Sequence, residues 1–275
     1  MKKVFVEIRP KVTRLGNWLF QYAAAKSAAP EGEVVFVIQD RNDWPAVEKY
    51  RELFPEVTIT DEEPDDKSLL RTGLYQDVRV MDEGLVRELL RMPERVRARL
   101  RERSAGILNK ELVVGVSVRR GDYLALPHRH PFVGKSYLKR AIRSFDAKAI
   151  YVVCSDDIPW CKANLPKMCP ERQFVFIENE DVLTQLYIHT LCHHNICSNS
   201  SFSWWGAYLN GNKGKRVLVP SRWYGLALKN EDWSGLIYEG CELVENRYTL
   251  VMWIHAVLLM CKTRIGDLLR KGGLR

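Results

Sequence analysis

Residues 199–208 read Asn-Ser-Ser-Phe-Ser-Trp-Trp-Gly-Ala-Tyr and concentrate more chemistry than any other stretch of the chain. The cluster follows a β-type approach, Asn195-Ile196-Cys197, and runs into Ala207-Tyr208-Leu209, which continues a helix. A helix opening in Ser and Asn offers hydroxyls, unpaired backbone N–H groups and a positive dipole end, the set a phosphate needs. Asn199, Ser200, Ser201, Phe202 and Ser203 are therefore candidate ligand contacts, with Trp204 and Trp205 as a rigid apolar anchor. A capped core helix carries the same spacing.

Three other polar clusters invite the same question. Arg119-Arg120-Gly121-Asp122 follows Val113–Val118. Side chains alternate along a strand, so the two arginines point different ways. One can reach a phosphate as a two-pronged donor while the other pairs with Asp122 or braces the loop, and a structural Arg–Asp pair is the plainer alternative. At Ser155-Asp156-Asp157 one carboxylate can accept the N1 and N2 hydrogens of a guanine, while the other caps the next helix through Trp160. Thr13-Arg14-Leu15-Gly16-Asn17 reads as a short loop in which Gly16 lets the backbone approach a ligand beside Asn17. His189, Cys192, His193, His194 and Cys197 raise the question of a metal, but Cys197 falls on a strand and no second cysteine pair has zinc spacing, so no metal site is expected. The chain also lacks an Asp-x-Asp triplet of the kind that holds a sugar diphosphate through a metal.

The elements that must position these clusters alternate. Strands are expected at 4–8, 34–38, 112–118, 149–153, 174–177, 195–197 and 216–219. Helices are expected at 17–29, 136–144, 158–165, 182–192 and 202–209, with helical spacing through 87–103. Residues 40–80 are mixed. Such alternation argues for parallel sheets covered by helices, and each polar cluster directly follows a strand, where open α/β sheets bind their ligands. A composition dip at Ser104-Ala105-Gly106 marks a boundary between lobes 1–105 and 106–247, followed by a tail at 248–275.

The chain of 275 residues is 46% apolar and 28% charged, an ordinary globular composition. Its net charge of +8 suits a polyanionic partner without choosing one. A nucleic-acid surface would need exposed aromatics among the basic residues, whereas Trp204 and Trp205 read as internal, so no nucleic acid is expected. Seven scattered cysteines without a CxxC pair point to a reducing, cytoplasmic setting, and Val4–Ile8 with Glu7 reads as a first strand instead of an export signal. In the tail, apolar residues at 250, 251, 254, 257, 258, 261, 265, 268 and 269 recur at helical spacing, with basic residues from Lys262 onward. That segment is shorter than the ~20 apolar residues a bilayer span takes. It suits a helix lying on an anionic inner membrane face, or one packed on the first lobe or on a second subunit.

Taken together, these motifs resemble the bacterial α-1,2-fucosyltransferases of glycosyltransferase family 11. Leu15-Gly16-Asn17-Trp18-Leu19-Phe20-Gln21-Tyr22-Ala23 is similar to the family's Leu-Gly-Asn-Gln-Met-Phe-Gln-Tyr-Ala. Val118-Arg119-Arg120-Gly121-Asp122-Tyr123 resembles its His-x-Arg-Arg-Gly-Asp-Tyr motif, and residues 155–162 and 199–207 match two further signatures. Trp18 stands where the family usually has Gln, and Ser117 where it usually has a His beside the nucleotide. The resemblance implies an α/β, GT-B-like fold, two Rossmann-like lobes facing across a cleft, with the donor held by the second lobe. It implies GDP-L-fucose as donor substrate, no cofactor or essential metal, and inverting transfer to the 2-OH of a galactose in a surface glycan. Another GDP-sugar, or a catalytically silent nucleotide- or glycan-binding protein, are the alternatives. Under the resemblance Arg119 contacts the leaving diphosphate, Asp122 is a candidate acceptor-side base, Ser117 and Arg120 line the donor, and Gly16 and Asn17 orient sugar and acceptor.

Overall fold

The structure, a computed structural model, describes residues 2–108, 110 and 112–271. The chain divides into two compact units, Met1–Arg99 with Ser234–Tyr238 and Leu100–Trp233 with Glu239–Arg275. The first begins with β1 (Lys3–Glu7), α1 (Leu15–Ala28), β2 (Glu33–Val37) and α2 (Trp44–Glu48), and continues with β3 (Thr58–Thr60), β4 (Leu70–Arg71) and α3 (Glu83–Leu89). Its sheet has the order β3-β2-β1-β4, and every pair is parallel. Runs such as Val34-Val35-Phe36-Val37 are buried on both faces, as a parallel strand between helices requires. Tyr22, Phe36 and Phe54 meet edge to face with ring centroids 5.2–6.4 Å apart and fill the space between α1 and the sheet.

Helix α4 (Glu94–Leu108) leads out of the first unit. The second unit continues with β5 (Val113–Val118), α5 (Lys135–Arg143), β6 (Ile150–Ser155), α6 (Ile158–Met168), β7 (Gln173–Phe176) and α7 (Val182–Ile188). It ends with β8 (His194–Ile196), α8 (Ser201–Tyr208), β9 (Val217–Pro220), β10 (Cys241–Val244) and α9 (Leu250–Lys271). Its sheet is β10-β9-β8-β5-β6-β7, wholly parallel. Counted from β5, that order is 3-2-1-4-5-6, the doubly wound dinucleotide-fold order. Val114, Val116 and Val118 face the α5–α6 layer, in one core with Tyr137, Leu138, Ala141 and Leu165. Gly115 faces the other way: a Cβ there would lie 2.6 Å from His189 Nδ1 and 2.9 Å from Asn195 Nδ2, so only glycine allows this approach. Gly206 does the same from α8, where a Cβ would come within 2.8 Å of His189 Cβ.

Several expectations need correction. Residues 15–17 are not loop but the first turn of α1, which starts two residues earlier than the spacing suggested. The mixed stretch 40–80 contains α2, β3 and β4, elements too short to show a period. Residues 87–103 are split between α3 and α4, because Pro93 disfavours a helical Met92 and its carbonyl then accepts the Arg97 N–H to open α4. The dip at 104–106 lies inside α4. The helix read at 182–192 ends at Ile188 in a tight turn, which takes Cys192 and His193 off its face. Strand β10 was not anticipated.

His189 is buried, its Nε2 finds no hydrogen-bond partner, and burial lowers its pKa to about 4. The unfolded chain therefore takes up a proton near pH 6.5 that the folded chain refuses until about pH 4. Stability should be full above pH 6.5 and fall through the interval to pH 4, by roughly 3 kcal/mol from this residue alone. Urea melts at pH 7 and pH 4.5 of the parent and of His189→Gln measure it: the variant should lose less on acidification, and equal losses would remove the assignment.

Candidate active site

In both sheets the strand order reverses beside the first strand, and the loops leaving the two flanking strands diverge there to leave a crevice. In the first unit the reversal lies between β1 and β4. The segment after β1 carries Gly16 and Asn17; Asn17 Oδ1 accepts from Gln76 Nε2 at 2.7 Å, and Gln21 Nε2 donates to Glu7 O and Gly73 O at 2.9 and 3.2 Å. Gly16 is buried within α1 and Asn17 half-buried. Trp18, in the family's Gln position, is buried, donates Nε1–H to Thr13 Oγ1 at 2.9 Å and meets Tyr50 edge on. It is a core residue.

In the second unit the reversal lies between β5 and β8, and the loops that leave these strands are Arg119–Tyr123 and Cys197–Ser200. Tyr123 ties them together, its hydroxyl donating to Asn199 O at 3.0 Å. The arginines separate as strand alternation demands. Arg120 donates Nε–H to Asp157 Oδ2 at 3.0 Å, and its guanidinium lies 3.9 Å from the Trp160 ring centroid. Only 12% of its side chain is exposed, so it braces the α6 side of the loop. Arg119 reaches Asp122 Oδ1 at 2.7 Å and Asp156 Oδ2 at 3.0 Å, lies over the Tyr123 ring, and keeps 29% exposure. A charged fork at the mouth of the crevice, held by two carboxylates, is preorganised to receive a phosphate.

The carboxylates are busy. Asp156 Oδ1 accepts the Arg120 N–H at 2.8 Å, and a Cβ on Gly121 would lie 2.4 Å from Asp156 Oδ2, so glycine admits Asp156 to the loop. Asp157 Oδ1 accepts the Trp160 N–H at 3.2 Å and so caps α6. Ser117, on the Gly115 face of β5, is 7% exposed.

Helix α8 is closed at one end and open at the other. At its C-terminus Lys215 Nζ donates to Ala207 O at 2.8 Å, to Tyr208 O at 3.2 Å and to Asn210 O. Trp204 and Trp205 are fully buried, perpendicular to each other at 5.0 Å, and Tyr208 stacks on Trp204 at 4.6 Å. These rings fix the axis of the helix. At the N-terminus Ser200 is extended and makes no side-chain cap, and the first bonded N–H is that of Trp204, to Ser200 O at 3.0 Å. Among the described residues the N–H groups of Ser201, Phe202 and Ser203 have no hydrogen-bond partner, and Ser201 and Phe202 are partly exposed. Ser203 turns its hydroxyl inward to Ser198 O and Ser200 O. Asn199 donates to Trp223 O at 3.0 Å, and its Oδ1 is buried without a partner. Three open N–H groups at a positive helix end, in the loop that Tyr123 ties to the arginine loop, are the groups an anion would need.

The suspected metal cluster disperses. His193 Nδ1 accepts the Val113 N–H and His194 Nδ1 the Arg216 N–H, each at 3.0 Å, while Cys192 and Cys197 donate to backbone carbonyls. Among the described residues no three His, Cys, Asp or Glu side chains converge on one point. Among the described residues no two cysteines are joined by a disulfide. In the second unit Trp223 holds Asn199 through its carbonyl, and in the first unit Gln76 holds Asn17; neither was anticipated, because each acts through a partner far away in sequence.

The Escherichia coli alpha-1,2-colitosyltransferase is 30% identical over 118 residues, 40% of this chain and 41% of that one. The human galactoside alpha-(1,2)-fucosyltransferase 1 is 32% identical over 143 residues, 46% of this chain and 39% of that one. The matched stretches thus span less than half of these relatives. The family 9 glycosyl transferase of Veillonella parvula superposes over 92% of this chain and 90% of its own with a TM-score of 0.50 at 10% identity, a likeness of fold, of the GT-B class. The sequence profile of glycosyl transferase family 11 matches residues 35–234, a stretch that holds the arginine loop, the Asp156–Asp157 turn and the open helix end, and the chain belongs to that family.

Proposed function

We propose that this protein transfers L-fucose from GDP-β-L-fucose to the 2-OH of a galactose in a glycan, with inversion and without a metal or other cofactor. The observation that carries the reading is that Tyr123, beneath Arg119, ties the arginine loop to Asn199 just ahead of the open N-terminus of α8 at one switch point. Breaking the sugar–phosphate bond drives negative charge onto the departing diphosphate. An arginine fork and oriented N–H groups stabilise that charge where it develops. Attack by the acceptor hydroxyl on the face opposite the diphosphate turns the β-linked donor into an α-fucoside. Gly16 and Asn17 of the first unit are assigned to the sugar and acceptor, and Ser117 to the donor. Linkage and acceptor rest on family membership and on relatives whose names carry the α-1,2 linkage. The colitosyltransferase likeness favours one rival, a different deoxysugar on the same nucleotide.

GDP and GDP-fucose should raise the melting temperature by mass action, and UDP and ADP far less. Equal stabilisation by UDP would remove the guanine assignment. Turnover of GDP-fucose on β-galactosides should survive EDTA, and its abolition by chelator would overturn metal independence.

The tail extends the reading to location. Helix α9 packs on residues 226–228 of its own unit, and its Met252 and Ala256 are buried. Val251, Ile254, Leu258, Cys261 and Ile265, spaced three and four apart, stay exposed, as does half of Trp253. Lys262 and Arg264 flank that stripe, and no acidic residue occurs from 250 to 266. Two copies of such a face would repel, whereas an anionic lipid surface attracts it, at about 1 kcal/mol per basic residue. No described helix is long and apolar enough to cross a membrane. We assign α9 to a peripheral contact with anionic lipid. Full-length protein should float with phosphatidylglycerol vesicles at low salt and be released by high salt, and Ile254→Glu/Leu258→Glu should sediment alone. Failure of the full-length protein to bind at low salt would exclude the assignment.

A further inference from the structure

A transferase of this kind needs a group to take the proton from the attacking hydroxyl, and Asp122 is poorly placed for it. Its Oδ1 is taken up by Arg119 at 2.7 Å. A second candidate lies in the same loop. His130 stacks on the Tyr123 ring, centroids 4.9 Å apart with an interplanar angle of 18°. Tyr123 is the residue that binds Asn199 O and lies beneath the Arg119 guanidinium. The His130 backbone is fixed by its N–H to Leu126 O at 2.9 Å. Among the described residues neither ring nitrogen of His130 has a hydrogen-bond partner, and the residue is only half-buried. This histidine, held by ring stacking alone with both nitrogens available, sits one side chain away from the diphosphate arginine.

Resting on the transferase reading, we propose that His130 is the general base that accepts the acceptor hydroxyl's proton. The acceptor oxygen forms its bond to the sugar C1 as the C1–O bond to the diphosphate breaks. The electron pair of that bond leaves with the nucleotide, where Arg119 and the α8 N–H groups receive it. The proton passes to a His130 ring nitrogen and then to water. The groups facing His130 are Arg119, Asp122, Tyr123, His128 and Arg129. Burial and then Arg129 lower its pKa, and Asp122 opposes them in part, so the ring is neutral at pH 7 and free to take a proton.

The test compares the parent with His130→Gln, His130→Ala and Asp122→Asn, following GDP release with a β-galactoside acceptor alongside GDP-induced thermal shift. Both His130 variants should keep the parent's shift with GDP and lose 10²–10⁴-fold in kcat, the usual worth of a positioned base. The acid limb of the kcat–pH profile, present in the parent and in Asp122→Asn, should vanish in His130→Gln, and imidazole should restore part of the turnover of His130→Ala. A kcat for His130→Gln within threefold of the parent, with the acid limb intact, overturns the proposal. So does loss of the GDP shift in both His130 variants, which would make His130 a residue of the fold. A parent that binds GDP but turns over no GDP-sugar would instead defeat the transferase reading.

Discussion

Replacing Arg119 with Ala should lower turnover of GDP-fucose by at least 10²–10³-fold, about 3–4 kcal/mol of transition-state stabilisation, the cost of losing one preorganised donor to a developing charge. The structure adds a reason to expect the upper end. Arg119 is bound to Asp122 and Asp156, so its removal leaves two carboxylates facing the site where a diphosphate must sit. GDP affinity should therefore fall together with kcat. Arg119→Lys should not rescue the rate, because a single ammonium cannot span both carboxylates and a phosphate. A folded Arg119→Ala protein with near-parent turnover would sink the role given to this residue.

The second large effect is on stability. Trp205 has no exposed surface and packs against Trp204 and Tyr208, so Trp205→Ala empties the centre of the α8 layer. The expected cost is roughly 3–5 kcal/mol. For a chain of this size that lowers the melting temperature by on the order of 10 °C. Because the same ring sets the axis of α8, the thermal shift produced by GDP should shrink as well. A melting temperature within 2 °C of the parent would show that the tryptophan pair does not hold the helix.

The strands of both sheets were legible where the chain runs apolar for four or more residues, as in 34–37 and 113–118. Parallel strands buried on both faces leave that signature, and it places the polar clusters after them at strand ends. What escaped notice was short or paired at a distance. β4 has two residues and β10 joins β9 at the far edge, so neither shows a period. The arginine pair was read as divergent, and it is, but only the structure shows that Arg120 has Trp160 beneath it and that Arg119 lies between two carboxylates. His130 could not be singled out, because a histidine among Pro127, His128 and Arg129 looks like any polar loop residue until Tyr123 is seen stacked against it.

The pairing of β5 with β8 also sets the order in which the nucleotide site comes into being. Val114 sits opposite His194, eighty positions further along the chain, whereas β5 and β6, and β6 and β7, are near neighbours in sequence. Closing the longer loop costs more entropy and is the slower event. The β5–β6–β7 half can thus assemble with its arginine loop complete while no helix end yet stands opposite. Donor competence arrives only when β8 docks and brings α8 with it. On refolding, recovery of GDP binding should therefore trail recovery of secondary structure. A ligand that recognises the finished crevice should slow unfolding and leave the folding rate unchanged.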